Sequence, residues 1–177
     1  GPWAALQDSS PGRIRSLAME GSVNAILPVP EKPSGGTDPE TAADHYSYGI
    51  GGIFGYARIG GDVQVRDCSN HAQVTGNLFT GGIGGRMTSD YAVPLSLNAS
   101  GIVDCENDGL ILCAETAAKD EAEAQLEGRY FGGILGYGSH VRIVTSSSAS
   151  GRAAGYRYSG AQRENVLLGQ YVGGIVG

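Results

Sequence analysis

Apolar residues in this chain recur in short alternating runs and not at helical spacing. Val63 and Val65 alternate with polar neighbours, as do Val141 and Ile143, which is the pattern of a half-buried strand. A Cys-x-Asn-x-Gly/Ala element follows at 68–72 and 105–109 and bends the chain, after which Val74 or Ile111 opens a second short strand. A Gly-Gly-Ile block then makes a third. It is written four times, as Tyr48-Gly-Ile-Gly-Gly-Ile-Phe-Gly55, Phe79-Thr-Gly-Gly-Ile-Gly-Gly85, Tyr130-Phe-Gly-Gly-Ile-Leu-Gly136 and Tyr171-Val-Gly-Gly-Ile-Val-Gly177. The strand segment between the blocks also has four copies. Ile14, Val65, Ile102 and Ile143 fall at one position, and Leu17, Cys68, Cys105 and Ser146 at another. Each unit therefore reads as strand, turn, strand, loop, strand, with 37 to 51 residues from copy to copy.

A unit of this size cannot bury its own apolar face, so self-similarity at such a period predicts stacking. The expected fold is all-β, a right-handed parallel β-helix (β-solenoid) of about four turns, forming a single domain over 1–177. Glycine weakens a strand unless something must approach closely, so its return at one repeat position implies a geometric need. The interior residue is expected to be the Ile of each block, with Ile53, Ile83, Ile134 and Ile175 stacked. On the opposite face Phe54, Leu135 and Val176 are expected beneath an insertion. Differences in spacing place external loops at 28–47, 87–99 and 114–129. The Ala-, Glu- and Lys-rich stretch within the last has Glu115/Lys119 and Lys119/Glu123 at pairing distance on a short helix.

Composition narrows the function classes. The chain has 30 glycines in 177 residues with no Gly-X-Y period, which excludes collagen, and 41% apolar residues, too many for a disordered chain. A net charge of −6 with singly scattered arginines argues against nucleic acid as a partner. No eighteen-residue apolar run exists, so no membrane insertion is expected of this chain. Gly1-Pro2 reads as a cloning scar, and Gly177 falls inside a motif that elsewhere runs on, so the chain is expected to be a piece of a longer protein with further repeats.

The combination of Val172-Gly-Gly-Ile-Val-Gly177, Phe131-Gly-Gly-Ile-Leu-Gly136 and Cys105-Glu-Asn-Asp-Gly109 resembles the GLUG-motif repeats of bacterial surface and secreted proteins. The resemblance covers the repeat elements from about residue 13 onward and not the inserted loops. Copies one and four depart from it, since they lack the Cys and Asn. Such repeats occur in adhesin-like proteins and in the non-catalytic part of some immunoglobulin-A-cleaving metallopeptidases. The resemblance implies a right-handed parallel β-helix at the cell surface or outside the cell.

Chemical readings are few. Cys68 and Cys105 lie on neighbouring turns, and a buried thiol stack is the expectation, with a disulfide as the alternative; Cys113 is unmatched. Asn70 and Asn107 suit a hydrogen-bonded ladder along the stack. No Cys-x-x-Cys or His-Glu-x-x-His spacing supports a metal site. Asp44, His45 and Ser47 are too close in sequence to form a triad. The Gly-rich runs match neither a phosphate loop nor a calcium-binding nonapeptide, and the acids at 120–127 read as a solvated helix face. No cofactor and no catalytic residue is assigned.

Aromatic residues recur by position. Phe79, Tyr130 and Tyr171 precede the Gly-Gly pair, and Tyr56 and Tyr137 follow it. Stacked on one flank they make the candidate contact for a glycan or a host protein, with packing beneath the inserted loops as the plainer reading. The expected function is a non-catalytic extracellular repeat segment acting as a rigid scaffold or adhesive module. The alternatives are a spacer domain of a large secreted peptidase and a glycan-active β-helix enzyme.

Overall fold

A computed structural model describes residues 13–27, 48–60, 63–89, 100–114, 129–148, 157–159, 162–164 and 170–177. Its strands follow the repeats. The first unit contains β1 (Arg13–Arg15), β2 (Ala18–Met19), β3 (Ser22–Asn24), β4 (Ile50–Gly51) and β5 (Phe54–Ile59). The second contains β6 (Gln64–Arg66), β7 (Ser69–Asn70), β8 (Gln73–Gly76), β9 (Leu78–Gly81) and β10 (Gly84–Ser89). The third contains β11 (Gly101–Val103), β12 (Glu106–Asn107), β13 (Ile111–Cys113), β14 (Arg129–Gly132) and β15 (Leu135–Ser139). The fourth opens with β16 (Arg142–Val144) and β17 (Ser147–Ser148), passes through an antiparallel ribbon of β18 (Arg157–Ser159) and β19 (Gln162–Glu164), and returns at β20 (Gln170–Gly173).

Every strand of the first two units pairs with its counterpart in the next, and β11, β12 and β14 pair on into the fourth. Five parallel sheets result, in the orders β1-β6-β11-β16, β2-β7-β12-β17, β3-β8-β13, β4-β9-β14-β20 and β5-β10-β15. The chain is thus all-β, and its parallel, in-register rungs are consistent with a β-solenoid. The sequence alignment holds at every paired position it named. Ile14 pairs with Val65, Val65 with Ile102 and Ile102 with Ile143; Val23 and Ile111 both pair with Val74.

The corners explain why the strands are so short. Ser16, Asp67, Asp104 and Thr145 occupy the same place in the four rungs, and all have left-handed backbones, with φ of 57°, 54°, 53° and 44°. A single left-handed residue turns the chain between the first and second sheets, and Asp is among the side chains that tolerate this conformation. A rung therefore contains five short strands where three were expected.

The Gly-Gly-Ile block also differs from its expectation. It is not one strand with two opposite faces: the chain bends at Gly52-Ile53, and again at Gly82-Ile83 and Gly133-Ile134. The bend resets the alternation, so the Ile and the residue after it enter one core. Ile83, Ile134, Phe54 and Leu135 pack there with Val65, Cys68, Met87, Ile102 and Cys105, and Ile53 packs against them. Phe54 and Leu135 thus need no insertion to cover them. The expected Ile stack is present, since Ile53 N–H donates to the Ile83 carbonyl, Ile83 to Ile134 and Ile134 to Ile175. A second cluster joins Ile50, Val74, Ile111, Cys113 and Phe131.

The loop boundaries move as well. Met87–Ser89 belongs to β10, with Met87 fully buried, and Arg129 opens β14. The expected loop at 28–47, the remainder of that at 90–99 and the expected helix within 114–129 lie outside the described residues, apart from Ala114, which follows β13. Among the described residues there is no helix.

Candidate functional site

The rungs bring the recurring aromatics together on one flank. Register places Tyr56, Arg86 and Tyr137 in a single column, since Arg86 pairs with Tyr56 on one side and Tyr137 on the other. A second column begins at Phe79 and Tyr130, whose left-handed φ values of 44° and 62° carry their rings into a cluster with Leu78, apart from the two main cores. The Phe79 and Tyr130 rings stack at 5.1 Å and 14°. Tyr137 meets both edge-on, at 5.7 Å and 5.2 Å. The Arg86 guanidinium lies 5.0 Å from the Tyr137 ring centre, 5.2 Å from Phe79 and 5.8 Å from Tyr56.

This is a cation held among aromatic faces, with Arg86 only 1% exposed. Quadrupole attraction to a desolvated guanidinium is worth about 2 kcal/mol or more, and each aromatic pair about 1 kcal/mol beyond its buried area. Four of the five aromatic candidates are therefore neighbours in space. Phe79 is fully buried and Tyr130 is 7% exposed, so these two support the flank from below and offer little surface. Tyr56 and Tyr137 are half-buried and supply the reachable edges, and the Tyr56 hydroxyl lies 3.4 Å from Thr88 Oγ1. Tyr171 lies in β20 beside β14, with its side chain outside the described residues. Sequence reasoning missed Arg86. The signal was present, because Arg86 follows Gly-Gly-Ile by the same interval as Tyr56 and Tyr137.

The thiols are interior. None of the three is in a disulfide; Cys68 and Cys105 are 1% exposed, and Cys113 is buried. The Cys68 thiol donates to the Arg66 carbonyl at 3.3 Å, and Cys105 donates to the Val103 and Val65 carbonyls at 3.4 Å and 3.5 Å. The neighbouring Cys68 thiol and burial push the Cys105 thiol far above the ordinary range, while the Cys105 thiol draws Cys68 down to about 7 against its burial. One proton thus leaves the pair much more readily than the second. With both sulfurs sealed in the core, no solvent-borne substrate reaches them.

The asparagine ladder is structural. Asn70 Nδ2 donates to Asn107 Oδ1 at 2.8 Å, and Asn107 Nδ2 donates to Ser148 Oγ at 3.3 Å. Each Asn also clasps the backbone two residues on, at Ala72 or Gly109. His71 is an exposed partner of Asp108 at 2.7 Å. Asp44, His45, Ser47 and the acids at 120–127 lie outside the described residues. Among the described residues no group of three or more His, Cys, Asp or Glu side chains is placed to hold a metal ion. Comparison with protein-family models, with curated proteins and with solved structures returned no match.

Proposed function

We propose that the chain is a right-handed parallel β-helix of the GLUG-repeat type that acts as a non-catalytic, extracellular scaffold with an adhesive flank. The observation that supports this reading most directly is the in-register pairing of the four rungs. Rungs stacked in this way would form a rigid rod with columns of like position along its length, the property a presenting surface needs. The half-buried Tyr56 and Tyr137, braced by Phe79, Tyr130 and Arg86, form the flank on which a sugar ring or a partner's apolar group would stack.

The test is binding of the purified chain to glycan and host-matrix protein arrays, with Tyr56→Ala and Tyr137→Ala beside the wild type. Retained signal that both substitutions weaken is the expected result. Blank arrays from a chain with an intact β-sheet spectrum would overturn the adhesive role and favour a spacer of a larger secreted protein. Cleavage of any polysaccharide on the same panel would overturn the non-catalytic reading.

A further inference from the structure

A second column of side chains runs beside the aromatic one. Ala57 and Met87 lie in the first core and Ile59 packs against it, so the residues alternating with them in β5 and β10 face outward. Tyr56 and Arg58 are therefore on the outer face, as are Arg86 and Thr88. Register sets Arg58 beside Thr88 and Thr88 beside Ser139, next to the column of Tyr56, Arg86 and Tyr137. The Tyr56 hydroxyl lies 3.4 Å from Thr88 Oγ1 and joins the two columns. One column thus offers aromatic ring surface, and the other two aliphatic hydroxyls and the exposed Arg58 guanidinium.

Charge is divided between the sheets. Among the described residues outside the β18–β19 ribbon, the acids are Glu20, Asp67, Asp104, Glu106 and Asp108. They all lie on the β2-β7-β12-β17 sheet or at its corners. Arg15 and Arg66 pair there with Asp67 and Asp104, at 3.4 Å and 3.6 Å. The β5-β10-β15 sheet carries Arg58 and Arg86 and, among the described residues, no acid. Arg58 is exposed on it with no acidic partner among those residues, so the charge of this face is open to an anion from outside.

We infer that this flank takes an acidic glycan, with a sugar ring on the tyrosines and a carboxylate on Arg58. A guanidinium presents paired N–H donors in the fork that a carboxylate fills. A pyranose brings an apolar ring face for Tyr56 or Tyr137 and hydroxyl groups for Thr88 and Ser139. A uronic acid adds the carboxylate at the edge of the same ring. An acidic peptide would satisfy Arg58 but would leave the hydroxyl column without partners of matching chemistry. Tyr56 and Tyr137 lie two rungs apart, about 10 Å along the stack, so successive sugars of an extended chain can bridge them. The inference rests on the proposed reading of this flank as a binding surface and adds the class of its ligand.

Titration calorimetry of the full chain tests it, with polygalacturonate and hyaluronan each set against its neutral methyl ester and poly-glutamate as the peptide control. The wild type should bind at least one of the acids about tenfold or more tighter than the ester. Arg58→Gln should bring the affinity for that acid down to the ester's, and Arg58→Lys should restore part of the difference. Arg58 is exposed, so circular dichroism should show both variants folded. Equal binding of acid and ester, a preference that survives Arg58→Gln, or poly-glutamate bound as tightly as the glycan would each overturn the inference. A chain that binds only neutral glycans or matrix proteins overturns the acidic ligand and leaves the adhesive flank standing. A folded chain blank to all of them overturns both, so the two failures are distinguishable.

Discussion

At the scale of single residues, the buried amides show how much one side chain can join. Asn107 accepts from Asn70 Nδ2 and from the Gly109 N–H, and it donates to the Gly109 carbonyl and to Ser148 Oγ. It is 2% exposed, and Gly109 and Asn70 are buried with it, so water cannot replace these bonds. Each buried polar group left unpaired costs about 1–3 kcal/mol. Asn107→Ala should therefore destabilise the chain by about 2 kcal/mol or more, since it takes the partner from the Gly109 carbonyl and from one amide hydrogen of Asn70, while the Gly109 N–H keeps the Asn70 carbonyl. Ser148→Ala, at the half-buried end of the same ladder, should cost less than about 1 kcal/mol. Urea unfolding of both variants checks the contrast, and equal losses would mean that the ladder is not a connected unit.

At the scale of elements, the units and their register were legible in the sequence, because identical columns repeat in it. Val65 over Ile102, Cys68 over Cys105 and Asn70 over Asn107 could be aligned without gaps. The corners were harder to read, because a left-handed residue leaves no mark on a polar/apolar pattern. The two-residue period failed at Gly52-Ile53 for a related reason: it assumes a straight strand, and a bend there resets which face is inward. Arg86 was lost to a different prejudice, since a single arginine is normally a surface charge. Its place between Tyr56 and Tyr137 makes a planar cation the better fit, and lysine cannot stack in the same way. Arg86→Lys should thus cost about 1–3 kcal/mol and loosen the flank. Thermal unfolding monitored by tyrosine near-ultraviolet circular dichroism reads both effects, and an unchanged spectrum and midpoint would show that the aromatic columns hold without the guanidinium.

For the whole molecule, rung stacking distributes stability along one axis. Each rung gains its burial from the neighbours above and below it, so a rung with two neighbours is better protected than one with a single neighbour. The burial gradient already has this form. Ile102 is fully buried, whereas Ile14 and Ile143 in the same column are only partly so, and Ile83 and Ile134 are sealed while Ile175 is open. Ile102→Ala should remove about 3–5 kcal/mol, as for a full cavity in a packed core, and Ile14→Ala about half of that or less. Amide exchange should follow the same order without any mutation. Protection should peak in β6–β12 and β14, where strands are flanked on both sides, and fall in β1–β3, β13 and β16–β17 at the edges of the described sheets. The N–H groups of Ile83 and Glu106 donate to Ile134 and Cys68 across such inner interfaces, which makes them suitable probes of the protected centre. Uniform protection in dilute solution would mean that the four rungs open as one unit and that the nearest-neighbour picture does not govern this fold.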